Sequence, residues 1–235
     1  MIALTALIVA THSKQDLNPV FWMDAKGNIL INGTATAPQV NPGVYRVNTP
    51  SGVAYSFAGG KSGILFGDNP ALKLGGDMTV SAWIYPRSYA INGWQSQILF
   101  RGDDRNDFDP YAFAMTSEGT VYFKIEDENS AGMMVNGEVP LNTWTHVMAS
   151  LNAKTGDMYM YVNGVEVSHS RTSKRPFLNL IPRYTPGVGV GNVQNDKGPQ
   201  NQPFNGMIAD LRLYAKALTP EEAGFVPDHA TAAQP

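Results

Sequence analysis

No cysteine occurs in the 235 residues, so disulfides, thiolate metal ligands and thiol nucleophiles are excluded. Charge is also sparse: charged residues make up 16% of the chain, the formal net charge is −3, and no basic cluster is longer than Arg171 to Arg175. Nucleic acid therefore has no electrostatic footprint to bind, and none is expected as a partner. The apolar opening MIALTALIVA is too short to span a bilayer and lacks the basic leader of a signal peptide, so no membrane span is expected. It reads as a first strand or docked arm, with the remnant of an export signal as the rival reading. Helical periodicity is nearly missing. The one exception is ALTPEEAGF (217–225), where Thr219 and Glu222 form a capping box around Pro220 and predict a short terminal helix.

Short strands fill the space these absences leave. Glycine (23) and proline (16) are scattered through the chain, and 43% of the residues are hydrophobic, enough to bury one sizeable core in a single domain. Strand-like runs punctuated by turn residues fall at 53–57, 64–66, 78–85, 97–100, 111–115, 120–126, 143–151, 157–162, 165–168, 187–191 and 204–214. The clearest signal is GDMYMYVNGVEVSH (156–169). Asn163-Gly164 between alternating runs marks a two-residue hairpin turn, which needs positive φ at both positions. With Val162 facing Val165, simple register pairs Met160 with Val167 and Met158 with His169 on a core face. Tyr159, Tyr161, Glu166 and Ser168 are left on the other. The same alternation sends Val121, Phe123 and Ile125 inward and Tyr122, Lys124 and Glu126 outward. It also sends Met207, Ala209, Leu211 and Leu213 inward and Ile208, Asp210, Arg212 and Tyr214 outward.

Four stretches in order, GGDMTVSAWIYP (75–86), LNTWTHVMASLNAKTGDMYMYVNGVEV (141–167), VGVGN (188–192) and FNGMIADLRLYAKALTPEE (204–222), resemble the bacterial laminin G-like domain of the concanavalin A-like lectin/glucanase superfamily, with VAYSFAG (53–59) also fitting. The resemblance spans residues 20–222, leaving 1–19 as an arm and 223–235 as a tail. It implies an all-β, two-sheet antiparallel jelly-roll sandwich, often with bound calcium and usually in extracellular or surface proteins. Glucanases of that superfamily carry paired glutamates around an aspartate (E-x-D-x-E). KIEDENS (124–130) places Glu126 and Glu128 only two apart, so that pattern is missing. No Gly-x-Ser-x-Gly elbow, phosphate loop or metal spacing among the histidines replaces it, and no catalytic residue is expected.

Candidate ligand residues combine aromatic rings with amides. Tyr89 and Trp94 stand in YAINGWQSQ (89–97), Tyr159 and Tyr161 on the outer face of the hairpin, and Asn192, Gln194 and Asn195 in NVQNDKGPQNQP (192–203). Flat rings with polar tips suit a sugar, and amides can both donate and accept. Each has a plainer alternative: Trp94 as a lid on the core, and the tyrosines on an ordinary solvated sheet face. For calcium, RGDDRNDFDP (101–110) offers Asp103, Asp104, Asp107 and Asp109 in one irregular loop. A second candidate pair, Asp24 and Asp210, would tie early and late strands together. The expected function is a non-catalytic carbohydrate-binding or adhesion module with a glycan or cell-surface partner. The alternative is a structural subunit of a surface layer, filament or virion, for which a homo-oligomer is expected.

Overall fold

The computed structural model describes residues 17–90, 95–184, 187–194 and 198–225. Its strands run in chain order as β1 (Phe21–Met23), β2 (Ile29–Ile31), β3 (Thr34–Ala35), β4 (Gln39–Val40), β5 (Val44–Thr49) and β6 (Gly52–Ala58). They continue as β7 (Ile64–Gly67), β8 (Met78–Pro86), β9 (Gln95–Gly102), β10 (Tyr111–Thr116), β11 (Thr120–Glu126) and β12 (Gly132–Glu138). The last are β13 (Thr145–Leu151), β14 (Asp157–Val162), β15 (Val165–Arg171), β16 (Gly187–Val190) and β17 (Asn205–Tyr214). They form two antiparallel sheets. One runs β15-β14-β13-β8-β17-β1-β2-β3, with the β5–β6 hairpin also joined to β17, and the other runs β12-β11-β10-β9-β16-β7-β4.

The core lies between the sheets. Val121, Phe123 and Ile125 from β11 meet Met158, Met160, Leu211 and Leu213 from the facing sheet, all buried. Alternation in β11 places these residues as the sequence requires, and Val162 at the end of β14 is half-buried. The hairpin turn is also where the sequence puts it: Asn163 and Gly164 have φ of 51° and 79°, and the Asn163 side chain accepts a bond from His146 N at 3.0 Å.

Two β-bulges overturn the simple parity. In β14–β15, Met160 faces Ser168 but Tyr161 faces Glu166, so Val167 is the extra residue. His169 therefore sits opposite Tyr159, not Met158, and shares its outer face, while Val165 and Val167 are 63% and 48% exposed. In β17, Ala209 faces Trp83 and Arg212 faces Ser81, with Asp210 at φ 48°. Ile208 thus joins the core cluster, whereas Met207 and Ala209 turn outward onto Trp83 and Phe225. An inserted residue changes which side of the strand every later residue faces, and that explains both corrections.

The predicted terminal helix is a single turn. Thr219 N bonds Glu222 Oε2 at 2.9 Å, Glu222 N bonds Thr219 Oγ1 at 3.3 Å, and Ala223 N reaches Thr219 O. The capping box forms, but the chain leaves at Gly224 with φ 86°.

A candidate binding cleft between the sheet edges

The outward residues of β11 are not solvated. Tyr122, Lys124 and Glu126 are all buried beneath the loops that follow β9 and β16. Lys124 Nζ contacts Glu126 Oε1 at 2.8 Å and Asp109 Oδ2 at 3.7 Å. Burial pushes the Asp109 carboxyl up to about 8, against the pull of Lys124. Nearby, Asp103 is held by both Arg105 Nε and Nη2 and accepts from Ile181 N. Asp104 accepts from Gln194 Nε2 at 2.6 Å, and Asp107 is exposed. Asp103 and Asp104 are thus committed to different partners, while Asp107 and Asp109 both lie near Lys124, at 4.0 and 3.7 Å. Among the described residues, no three acidic or histidine side chains are placed to hold a metal.

Asp24 and Asp210 are likewise committed. Burial would raise Asp24, yet bonds from the Asn28 side chain and from the Asn28 and Lys26 backbone hold its pKa below the ordinary value. Asp210 accepts from Trp22 Nε1 at 2.7 Å and pairs with Arg212.

The amide loop is an internal scaffold. Asn192 is fully buried; its carbonyl oxygen accepts from Val193, Gln194 and Gln202 N, and its nitrogen donates to Asn201 Oδ1. Gln194 accepts from Gln200 N. Tyr89 donates to Val139 O at 3.1 Å and packs against the core, closing one end of the sandwich. Trp94 and Asn195 lie outside the described residues.

Tyr159 and Tyr161 remain on the outer face of the hairpin, on the opposite side of the sandwich from Asn192 and Gln194. The Tyr159 ring stacks on His169 at 4.4 Å with 5° between planes, and Tyr161 follows at 6.1 Å. Asp157 anchors the column through Arg171 and His169; with the Arg171 bond foremost, these hold its carboxyl far below the usual range. One face of Tyr159 is therefore already covered by His169. Elsewhere on this sheet, His146 lies between Ser81, 2.9 Å from its Nε2, and Phe225, stacked at 4.1 Å. Burial lowers its pKa to about 3, so at neutral pH it is an uncharged, covered ring.

An open concavity occurs instead where the sheet edges part. The chain crosses from β3 in one sheet to β4 in the other through residues 36–38, then returns through β5, which among the described residues pairs with β6 alone. This crossover leaves a cleft of about 490 Å³ walled by Ile29, Val40 and Val44 and rimmed by Asn28, Tyr45 and Arg46. Tyr45 is 64% exposed and Val40 50%. Tyr55 forms the floor; its hydroxyl donates to Gly27 O at 2.7 Å, and burial raises its pKa. These residues escape a reading by period because β2 to β4 are only two or three residues long. The visible signal was the β-branched and aromatic VYRV run of β5 ahead of the turn at Thr49 to Gly52.

The two facing antiparallel sheets define a concanavalin A-like β-sandwich. The chain belongs to the concanavalin A-like lectin/glucanases superfamily: the model of its laminin G-like family matches residues 58–224. Among solved structures, the botulinum neurotoxin serotype G binding domain is similar with TM-score 0.66 and 12% identity, covering 87% of this chain and 49% of that one. The binding domain of Paraclostridial Mosquitocidal Protein 1 gives TM-score 0.67 and 16% identity over 87% of this chain and 50% of its own. The binding domain of botulinum neurotoxin DC in complex with SialylT gives 0.66 and 14% over 93% and 52%. The chain spans about half the length of each of these, and at such identity the likeness is one of fold. No curated protein matches the chain in sequence. The cleft residues 28–55 lie ahead of the matched family segment. Among the described residues no helix is long and apolar enough to cross a membrane.

Proposed function

We propose that this protein is a non-catalytic glycan-binding module acting outside the cell or on a cell or virion surface, and that the cleft between the sheet edges is its site. The observation that carries the reading is a cleft whose lining joins Tyr45, 64% exposed, with Asn28, Arg46 and an apolar wall. A sugar offers C–H faces to rings and aliphatic walls, and hydroxyls to amides and guanidinium groups. Open sites of this size bind weakly; a Kd of about 0.1–1 mM corresponds to only about 4–5.5 kcal/mol. The binding domains that share the fold support a recognition role. The burial of Glu126, Asp109 and His146 supports a role without catalysis. Binding to a glycan array, lost in Tyr45→Ala, tests the reading.

A second reading has its own observation. Strand β15 ends its sheet, so among the described residues one edge of it carries no strand partner, and it exposes Val165 and Val167, as an assembly contact between copies would. Mass in solution separates the two: a surface-layer, filament or virion subunit runs as a large oligomer, a lectin module as a small species.

A further inference from the structure

We infer, building on the glycan reading of the cleft, that its ligand is an acidic sugar whose anionic group meets Arg46. Arg46 is the cation on the cleft rim, and it is held in place without being neutralised. Its Nη2 donates to the backbone carbonyls of Lys26 and Gly27, and the guanidinium lies 5.9 Å from the centre of the Tyr55 ring. A side chain at position 27 would fill the space it occupies. Arg101, Arg105, Arg171 and Arg212 each pair with a carboxylate. Arg46 forms no ion pair among the described residues.

A guanidinium carries five N–H donors. Two go to the carbonyls, leaving the Nε hydrogen and both Nη1 hydrogens without a protein acceptor among the described residues. The acid on the same turn, Asp24, is not paired with Arg46: its carboxylate accepts from Lys26 N, Asn28 N and Asn28 Nδ2. A charge held by neutral carbonyls and not by an ion pair stays open to an incoming anion and loses little side-chain freedom when it binds. Tyr45, Val40 and Val44, which line the same cleft, accept the apolar face of the sugar that carries the anion. A carboxylate and a sulfate ester present the same chemistry to these three donors, so the class is an anionic glycan of either kind.

The experiment is an array of uronate and sulfate-ester oligosaccharides, each beside its neutral parent (methyl ester or desulfated form), probed with the whole protein at low and high salt. The expected result is at least tenfold tighter binding of acidic members than of their parents, shrinking as salt rises. The uronate and sulfate arms show which anion is preferred. Arg46→Met is expected to reduce binding of acidic members to the level of the parents. Should that variant fail to fold, the acid-to-parent ratio and its salt dependence in the unaltered protein still decide. Equal binding of acids and parents at low salt overturns the inference and leaves the glycan reading standing. Binding of no sugar of either kind removes both.

Discussion

The guanidinium of Arg46 sits where a side chain at position 27 would be, so a Cβ on Gly27 would collide with Nη2. Gly27 also has φ 74°, a conformation costly for other residues. One glycine thus shapes the β1–β2 turn and houses the cation of the cleft. Gly27→Ala is expected to cost about 1–3 kcal/mol of stability and to displace Arg46. In the Arg46→Ala background the same change should cost only the backbone strain, giving a non-additive double-mutant cycle. Additive melting shifts would show that the two residues are independent.

The buried Asp109 makes a pH prediction. Its carboxyl is raised from 3.8 to about 8 by burial, so between those values the folded chain binds a proton that the unfolded chain has released. Stability from this group is present at low pH and is lost as pH rises toward 8. Asp109→Asn should match the unaltered protein near pH 4 and melt higher at pH 8, by on the order of 5 °C. A lower melting temperature at pH 8 would mean that Asp109 is ionised there and paired with Lys124.

Calcium tests the acidic loop. An ion there would have to break the Arg105–Asp103 pair and the Gln194–Asp104 bond to gather the six to eight oxygens it takes. Saturating Ca²⁺ followed by EDTA is expected to leave the melting curve in place. A reversible rise of several degrees, abolished in Asp103→Asn, would show that the loop rearranges around an ion.

The hairpin, the two sheets and the core of β11 were legible in the sequence because Asn163-Gly164 and strict alternation each have one geometric reading. The faces of β15 and the first half of β17 were not. Val167 and Asp210 are inserted by bulges, and neither residue type announces one. Asn192, Gln194, Asp103 and Asp104, which looked available for a ligand, are bound within the protein: Asn192 holds the backbone of its own loop, and Asp103 holds Arg105. Composition cannot distinguish a polar group that faces solvent from one that braces a loop. The cleft was hidden for a different reason. Asn28, Val40 and Tyr45 come from strands too short to show a period, and only the crossing from one sheet to the other brings them together.

The measurement that bears most directly on the cleft is the affinity of Tyr45→Ala for whichever array glycan the unaltered protein binds best. Tyr45 is 64% exposed, so its removal should leave the melting temperature within a few degrees. Losing its contact area should weaken binding by roughly 1.5–3 kcal/mol, about ten- to a hundredfold, enough to put a millimolar interaction out of reach. Tyr159→Ala, on the far hairpin, should bind as the unaltered protein does. Full affinity in Tyr45→Ala with loss in Tyr159→Ala would contradict the account and move the site to the outer face of β14 and β15.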